Sequence, residues 1–114
     1  MCSKPLVEAT VTFLQPEEGG RSHPAFASAD YRPHIVLGDA KQRVALVDEH
    51  NQILEHYLGV AMHGDGEELT PGVPHKVRLT LMYDGNVDYS GVQPGACFTL
   101  REGARIVGYG MVTG

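Results

Sequence analysis

Six histidines raise the question of a metal ion, and two cysteines, Cys2 and Cys97, that of a reactive thiol or disulfide. The histidines, His23, His34, His50, His56, His63 and His75, show no tight His-x-x-x-His spacing, so no metal site is expected. Ser22-His23 and Ser90 lack the strand-turn-helix setting that exposes a nucleophilic serine. Asp65, Glu67 and Glu68 read as a solvated acidic turn. Cys97 enters an apolar alternating run and reads as a buried, inert thiol. The expectation is a protein that is not an enzyme, with no catalytic residue, no metal and no cofactor.

The elements available to position these side chains are strands. Val7, Ala9, Val11 and Phe13 alternate with Glu8, Thr10 and Thr12, and Val77, Leu79, Leu81 and Tyr83 alternate with Lys76, Arg78, Thr80 and Met82. Such a period of two puts one face of each run on a core. The spacing predicts strands near 6–14, 33–37, 42–47, 53–62, 75–83, 96–101 and 105–113. Turn signals separate them: Glu18-Gly19-Gly20, Gly64-Asp65-Gly66, Pro71-Gly72, Asp84-Gly85-Asn86, Pro94-Gly95 and Glu102-Gly103. Gly108 and Gly110 share one face of the last run, which suits the close backbone approach of a small barrel. Short strands at regular spacing predict a closed barrel or a sandwich.

Length and charge narrow the function. A chain of 114 residues fits a single domain over 1–114, and 42% hydrophobic residues suffice for a modest core. A net charge of −5 argues against a chain that grips nucleic acid over its whole surface, though a local basic patch is compatible with it. Two cysteines make no disulfide framework. No apolar run reaches the roughly 18 residues of a membrane span, and no hydrophobic signal region follows Met1-Cys2-Ser3-Lys4. The expected location is cytoplasmic.

Three polar positions have local explanations. Arg21 follows a glycine turn that Glu17 or Glu18 could anchor through a surface ion pair. Arg32 precedes Pro33, and its guanidinium could hold the stretch from Arg21 to Asp30 through backbone carbonyls. Glu102-Gly103 is a hairpin turn in which glycine supplies positive φ.

The same positions fall in segments with a wider likeness. The closing run Phe98-Thr99-Leu100-Arg101-Glu102-Gly103-Ala104-Arg105-Ile106-Val107-Gly108-Tyr109-Gly110 and the earlier Glu17-Glu18-Gly19-Gly20-Arg21 and Tyr31-Arg32-Pro33 occur in one order. Together they resemble the third domain of elongation factor Tu, the GTPase that carries aminoacyl-tRNA to the ribosome. The resemblance covers most of the chain. It implies an all-β fold, a six-stranded antiparallel closed β-barrel, here as a stand-alone domain. Between Leu37 and Leu69 the chain exceeds the family pattern by about a dozen residues. Gln42–Val47 and Gln52–Tyr57 read there as an inserted hairpin.

What the resemblance implies for function is a non-catalytic binding module. Carried over residue by residue, binding contacts fall on Arg21, Arg32, Glu102 and Gly103, with His34 where the family has glutamine and Ala104 where it has a second glycine. The arginines would meet phosphates and the Gly103 amide would approach a ribose or phosphate. The expected partners are tRNA or a translation-factor protein. No Gly-x-x-x-x-Gly-Lys-Ser/Thr phosphate loop occurs, so neither GTP binding nor GTPase activity is expected. The alternative is a reused barrel scaffold for protein–protein interaction or homo-oligomerisation through the inserted hairpin around Val44–Tyr57, unrelated to translation.

Overall fold

A computed structural model describes residues 6–21, 25–28, 31–50, 55–83, 89–103 and 105–114. Seven strands follow in chain order: β1 (Leu6–Phe13), β2 (Ala25–Ser28), β3 (His34–Leu37), β4 (Leu58–Leu69), β5 (His75–Leu81), β6 (Cys97–Glu102) and β7 (Arg105–Val112). Neighbours in the sheet run β2-β4-β3-β6-β7-β1-β5, and a further β4–β5 pairing closes the ring. The result is a six-stranded antiparallel β-barrel, with β2 added to the far half of β4. Closure leaves no unpaired edge within the ring.

The core follows from the alternation. Ala9, Val11 and Phe13 of β1, Val77, Leu79 and Leu81 of β5, and Phe98 and Leu100 of β6 point inward, joined by Ile35, Val60 and Met62. At the β6–β7 pairing the register slips between Leu100↔Gly108 and Arg101↔Ile106, so Val107 is a bulged residue and reaches the core. Gly110 makes room for this packing. A Cβ there would stand 2.4 Å from the Thr10 carbonyl oxygen and 2.8 Å from the Phe98 ring. The close approach read from the glycine pair is therefore present.

Three sequence expectations are corrected. Gln42–Val47 forms no hairpin strand: residues 38–57, apart from the undescribed 51–54, run as turns and loop with one isolated bridge at Val47. Gln42 and Arg43 turn their side chains onto nearby carbonyls. Of the strand expected over 53–62, residues 53–54 lie outside the described residues and 55–57 are not strand; it starts at Leu58 and runs on to Leu69, through the presumed turn Gly64-Asp65-Gly66. There β2 supplies the ladder. Between the partners of Ser28 and Phe26, β4 runs from His63 to Glu68, a bulge that absorbs the glycines. Third, Cys97 is exposed, not buried. It shares the outward parity of Thr99 and Arg101, and its cross-strand partner Met111 is exposed as well.

Candidate functional site

The turn after β1 and the β6–β7 hairpin meet at one end of the barrel. After β1 the chain makes a 3₁₀ turn (Pro16–Glu18), in which the Gln15 amide donates to the Glu18 carboxylate at 3.1 Å. Gly19 then adopts a left-handed φ of +99°, and Gly20 passes so close to Leu14 that a Cβ would lie 2.0 Å from its carbonyl oxygen. The two glycine carbonyls are taken by Arg105 at the start of β7: Nε donates to Gly19 O at 2.9 Å and a terminal nitrogen donates to Gly20 O. This docks the turn on the β6–β7 hairpin.

That docking delivers Arg21 to Glu102. The guanidinium forms an ion pair with the Glu102 carboxylate, and the Tyr31 hydroxyl donates to the same carboxylate at 2.6 Å. The Arg21 guanidinium carbon also sits 5.0 Å from the centre of the Tyr31 ring, and that ring leans on Phe13 of the core at 6.0 Å. Burial pushes the Tyr31 phenol well above its ordinary value, and its hydrogen bond to the Glu102 carboxylate adds to the effect. Tyr31 is thus a fixed neutral donor. Arg21 is anchored by Glu102 on the hairpin, not by Glu17 or Glu18.

The other proposed contacts divide. Arg32 is exposed and has no ion pair or hydrogen bond among the described residues, and residues 22–24 and 29–30 of the stretch it was expected to hold lie outside them. Gly103 is exposed at the hairpin tip with φ +62°. Both are chain neighbours of the hydrogen-bonded pair Tyr31 and Glu102, so they flank the same barrel end. His34 is elsewhere. It opens β3 opposite Arg101, and its ring packs on Tyr57 with centroids 5.7 Å apart.

Sequence reasoning missed the strongest polar centre, which lies on the outer wall. Arg101 is completely buried, although its neighbour Leu100 points into the core. Its guanidinium donates to both carboxylate oxygens of Glu55, at 2.7 and 3.0 Å, to the Tyr57 hydroxyl at 3.1 Å, and through Nε to Thr99 Oγ1 at 2.9 Å. Glu55 also accepts from the Leu46 amide and from Gln42, each at 2.9 Å. Its carboxyl is held down at about 2, first by the Arg101 hydrogen bonds, which outweigh burial, and then by the Leu46 and Gln42 donors. With Arg43 lying 5.0 Å over the Tyr109 ring, these contacts bind residues 42–46 and 55–57 across the outside of β3, β6 and β7. An ordinary-looking Arg in an alternating strand carries no sequence signal of such burial. The excess length between Leu37 and Leu69 was the one hint.

Between this segment and the wall lies a cleft of about 830 Å³ lined in part by Leu37, Leu46, Tyr57 and Leu58. Beyond it the segment exposes Val44, Leu46 and Val47. Among the described residues, no group of three His, Cys, Asp or Glu side chains is placed to hold a metal, and no helix is long and apolar enough to cross a membrane. No family model matches the sequence, and no curated protein matches it.

Proposed function

We propose that the protein is a non-catalytic binding module that engages RNA of the tRNA type or a translation-factor protein, without GTPase activity. The observation that carries the reading is the docking of the Gly19–Arg21 turn on the Glu102–Arg105 hairpin, since these are the segments that resemble the third domain of elongation factor Tu. Arg21 and Glu102 are already engaged with each other, so they shape the surface more than they offer free charge. Arg32 and the Gly103 backbone are the groups of that end left to meet a phosphate or ribose. The test is titration against labelled tRNA at two salt concentrations, with competitor RNA. Salt-sensitive binding that weakens in Arg32→Ala is expected. No binding at micromolar protein overturns the reading.

A second reading has its own observation. Val44 is 76% exposed, Leu46 58% and Val47 39%, on a segment fastened to the barrel by a buried ion pair. Apolar surface held out rigidly favours a protein partner or a second copy. Replacing Val44 and Leu46 by serine should then abolish self-association or capture of that partner in sedimentation experiments. An unchanged assembly state sets this reading aside.

A further inference from the structure

Four of the eight described lysines and arginines are spent internally. Arg21 and Arg101 pair with carboxylates, Arg105 with the carbonyls of the glycine turn, and Arg43 with the carbonyls of Ala40 and Gln42. Lys76 and Arg78 of β5 are exceptions. Both are exposed, and neither has an ion pair or hydrogen bond among the described residues. Two positions apart on one strand, they lie on the same outer face about 6.6 Å from each other. That is close enough for both side chains to reach one tetrahedral anion.

The neighbouring strands turn this pair into a groove. His63 of β4 stands opposite Arg78 on one side, and Glu8 of β1 stands opposite it on the other. The His63 ring is fixed by a contact between Nε2 and Thr80 Oγ1. Thr113 closes the end, its amide donating to the Glu8 carbonyl at 2.8 Å. These side chains line a cavity of about 260 Å³, room for a phosphate and a small attached group. The groove is separate from the Arg21–Glu102 end and from the Arg101–Glu55 wall.

The chemistry selects a ligand class. An arginine fork and a lysine point charge suit a phosphate, and the Thr113 hydroxyl adds a neutral donor. Glu8 would repel a bare anion but accept a hydrogen bond from a hydroxyl beside it. We propose that this groove binds a phosphate ester with a neighbouring sugar hydroxyl, either a ribose phosphate of an RNA backbone or a free sugar phosphate. For the RNA source alone, the inference rests on the reading under Proposed function.

The experiment follows backbone amide shifts of the whole protein during titration with ribose 5-phosphate, inorganic phosphate, and RNA and DNA oligonucleotides of one sequence. Ribose 5-phosphate should move the amides of Glu8, Val77 and Thr113, and Lys76→Ser with Arg78→Ser should weaken it at least about tenfold. Glu8→Gln should tighten inorganic phosphate and reduce the preference for RNA over DNA. Each of these positions is exposed, so the variants should melt as the parent does. Two results overturn the inference: no ligand moves these amides, or the double variant binds unchanged. RNA binding with effects confined to Arg32 while no ligand moves the groove amides is the first of these and leaves the RNA reading intact. Groove binding of ribose 5-phosphate without any RNA binding supports the free sugar phosphate and overturns the RNA reading instead.

Discussion

Arg101 and Glu102 are consecutive residues of β6, yet they enter ion pairs on different sides of the barrel wall. Arg101 is fully buried and meets a Glu55 side chain that is 8% exposed. Glu102 and Arg21 are about a quarter to a third exposed, at 30% and 27%. Alternation along a strand explains the divergence: one side chain goes out under Glu55 and Tyr57, the next turns to the barrel end. The energetics diverge for the same reason. A half-exposed pair is screened by water and contributes little. A buried pair is costly to break, because either partner left alone is an uncompensated charge out of water.

The largest expected effect tests that contrast at its stronger side. Glu55→Ala strands the Arg101 guanidinium and should cost about 3–5 kcal/mol in urea denaturation. Replacing both partners, Arg101→Met with Glu55→Leu, should recover most of the loss, since hydrophobic side chains of similar volume avoid the desolvation of two charges. If Glu55→Ala costs less than about 1 kcal/mol, the segment opens easily and the contrast between the two pairs fails.

Acid should separate the pairs too. The Glu55 carboxyl is depressed from 4.5 to about 2 in the folded protein. Its contribution is therefore fully present above the unfolded value and is lost as pH falls from about 4.5 toward 2. Glu55→Gln should lose that acid-dependent portion of the stability curve, measured by denaturation at a series of pH values. A variant curve parallel to the parent's between those limits would mean that another carboxyl carries the acid sensitivity.

The weaker pair should respond on a smaller scale. Glu102→Gln keeps an acceptor for Tyr31 and removes only the charge, so about 0.5–1 kcal/mol is expected. Tyr31→Phe removes the hydrogen bond, leaves the ring on Phe13, and should cost about 1 kcal/mol. Losses as large as that of Glu55→Ala would show the barrel end to be as closely held as the wall.

The same contrast explains what the sequence could reveal. β1, β5, β6 and β7 were legible because period-two alternation reports a wall with one buried face, and the glycine pair reported close approach over Phe98. β2 and the second half of β4 were not, because Gly64-Asp65-Gly66 carries turn chemistry that tertiary pairing overrides. Gln42–Val47 carries the apolar run Val44-Ala45-Leu46-Val47 but makes only one isolated bridge, at Val47. At the barrel end, Arg21 and Glu102 could be named, but the pairing between them joins residues 81 positions apart. Glu55 and Arg101 are 46 apart, and the outward parity of Arg101 points to solvent until a loop covers it. Alternation tells which way a side chain leaves the strand. It does not tell what lies there.

Arg32 gives the smallest stability effect and the most discriminating one. It lies beside Tyr31 but is exposed and unpaired among the described residues, so Arg32→Ala should change stability by less than about 0.5 kcal/mol. If the barrel end binds RNA, the same substitution should weaken binding across sequences and lower the salt slope by about one. Arg21→Ala should behave differently, losing stability through Glu102 and Tyr31 and affecting RNA only through the shape of the turn. A salt slope that falls for Arg21→Ala and not for Arg32→Ala would reverse these assignments. It would mean that the Arg21–Glu102 pair opens to admit a phosphate, with the carboxylate then left to Tyr31.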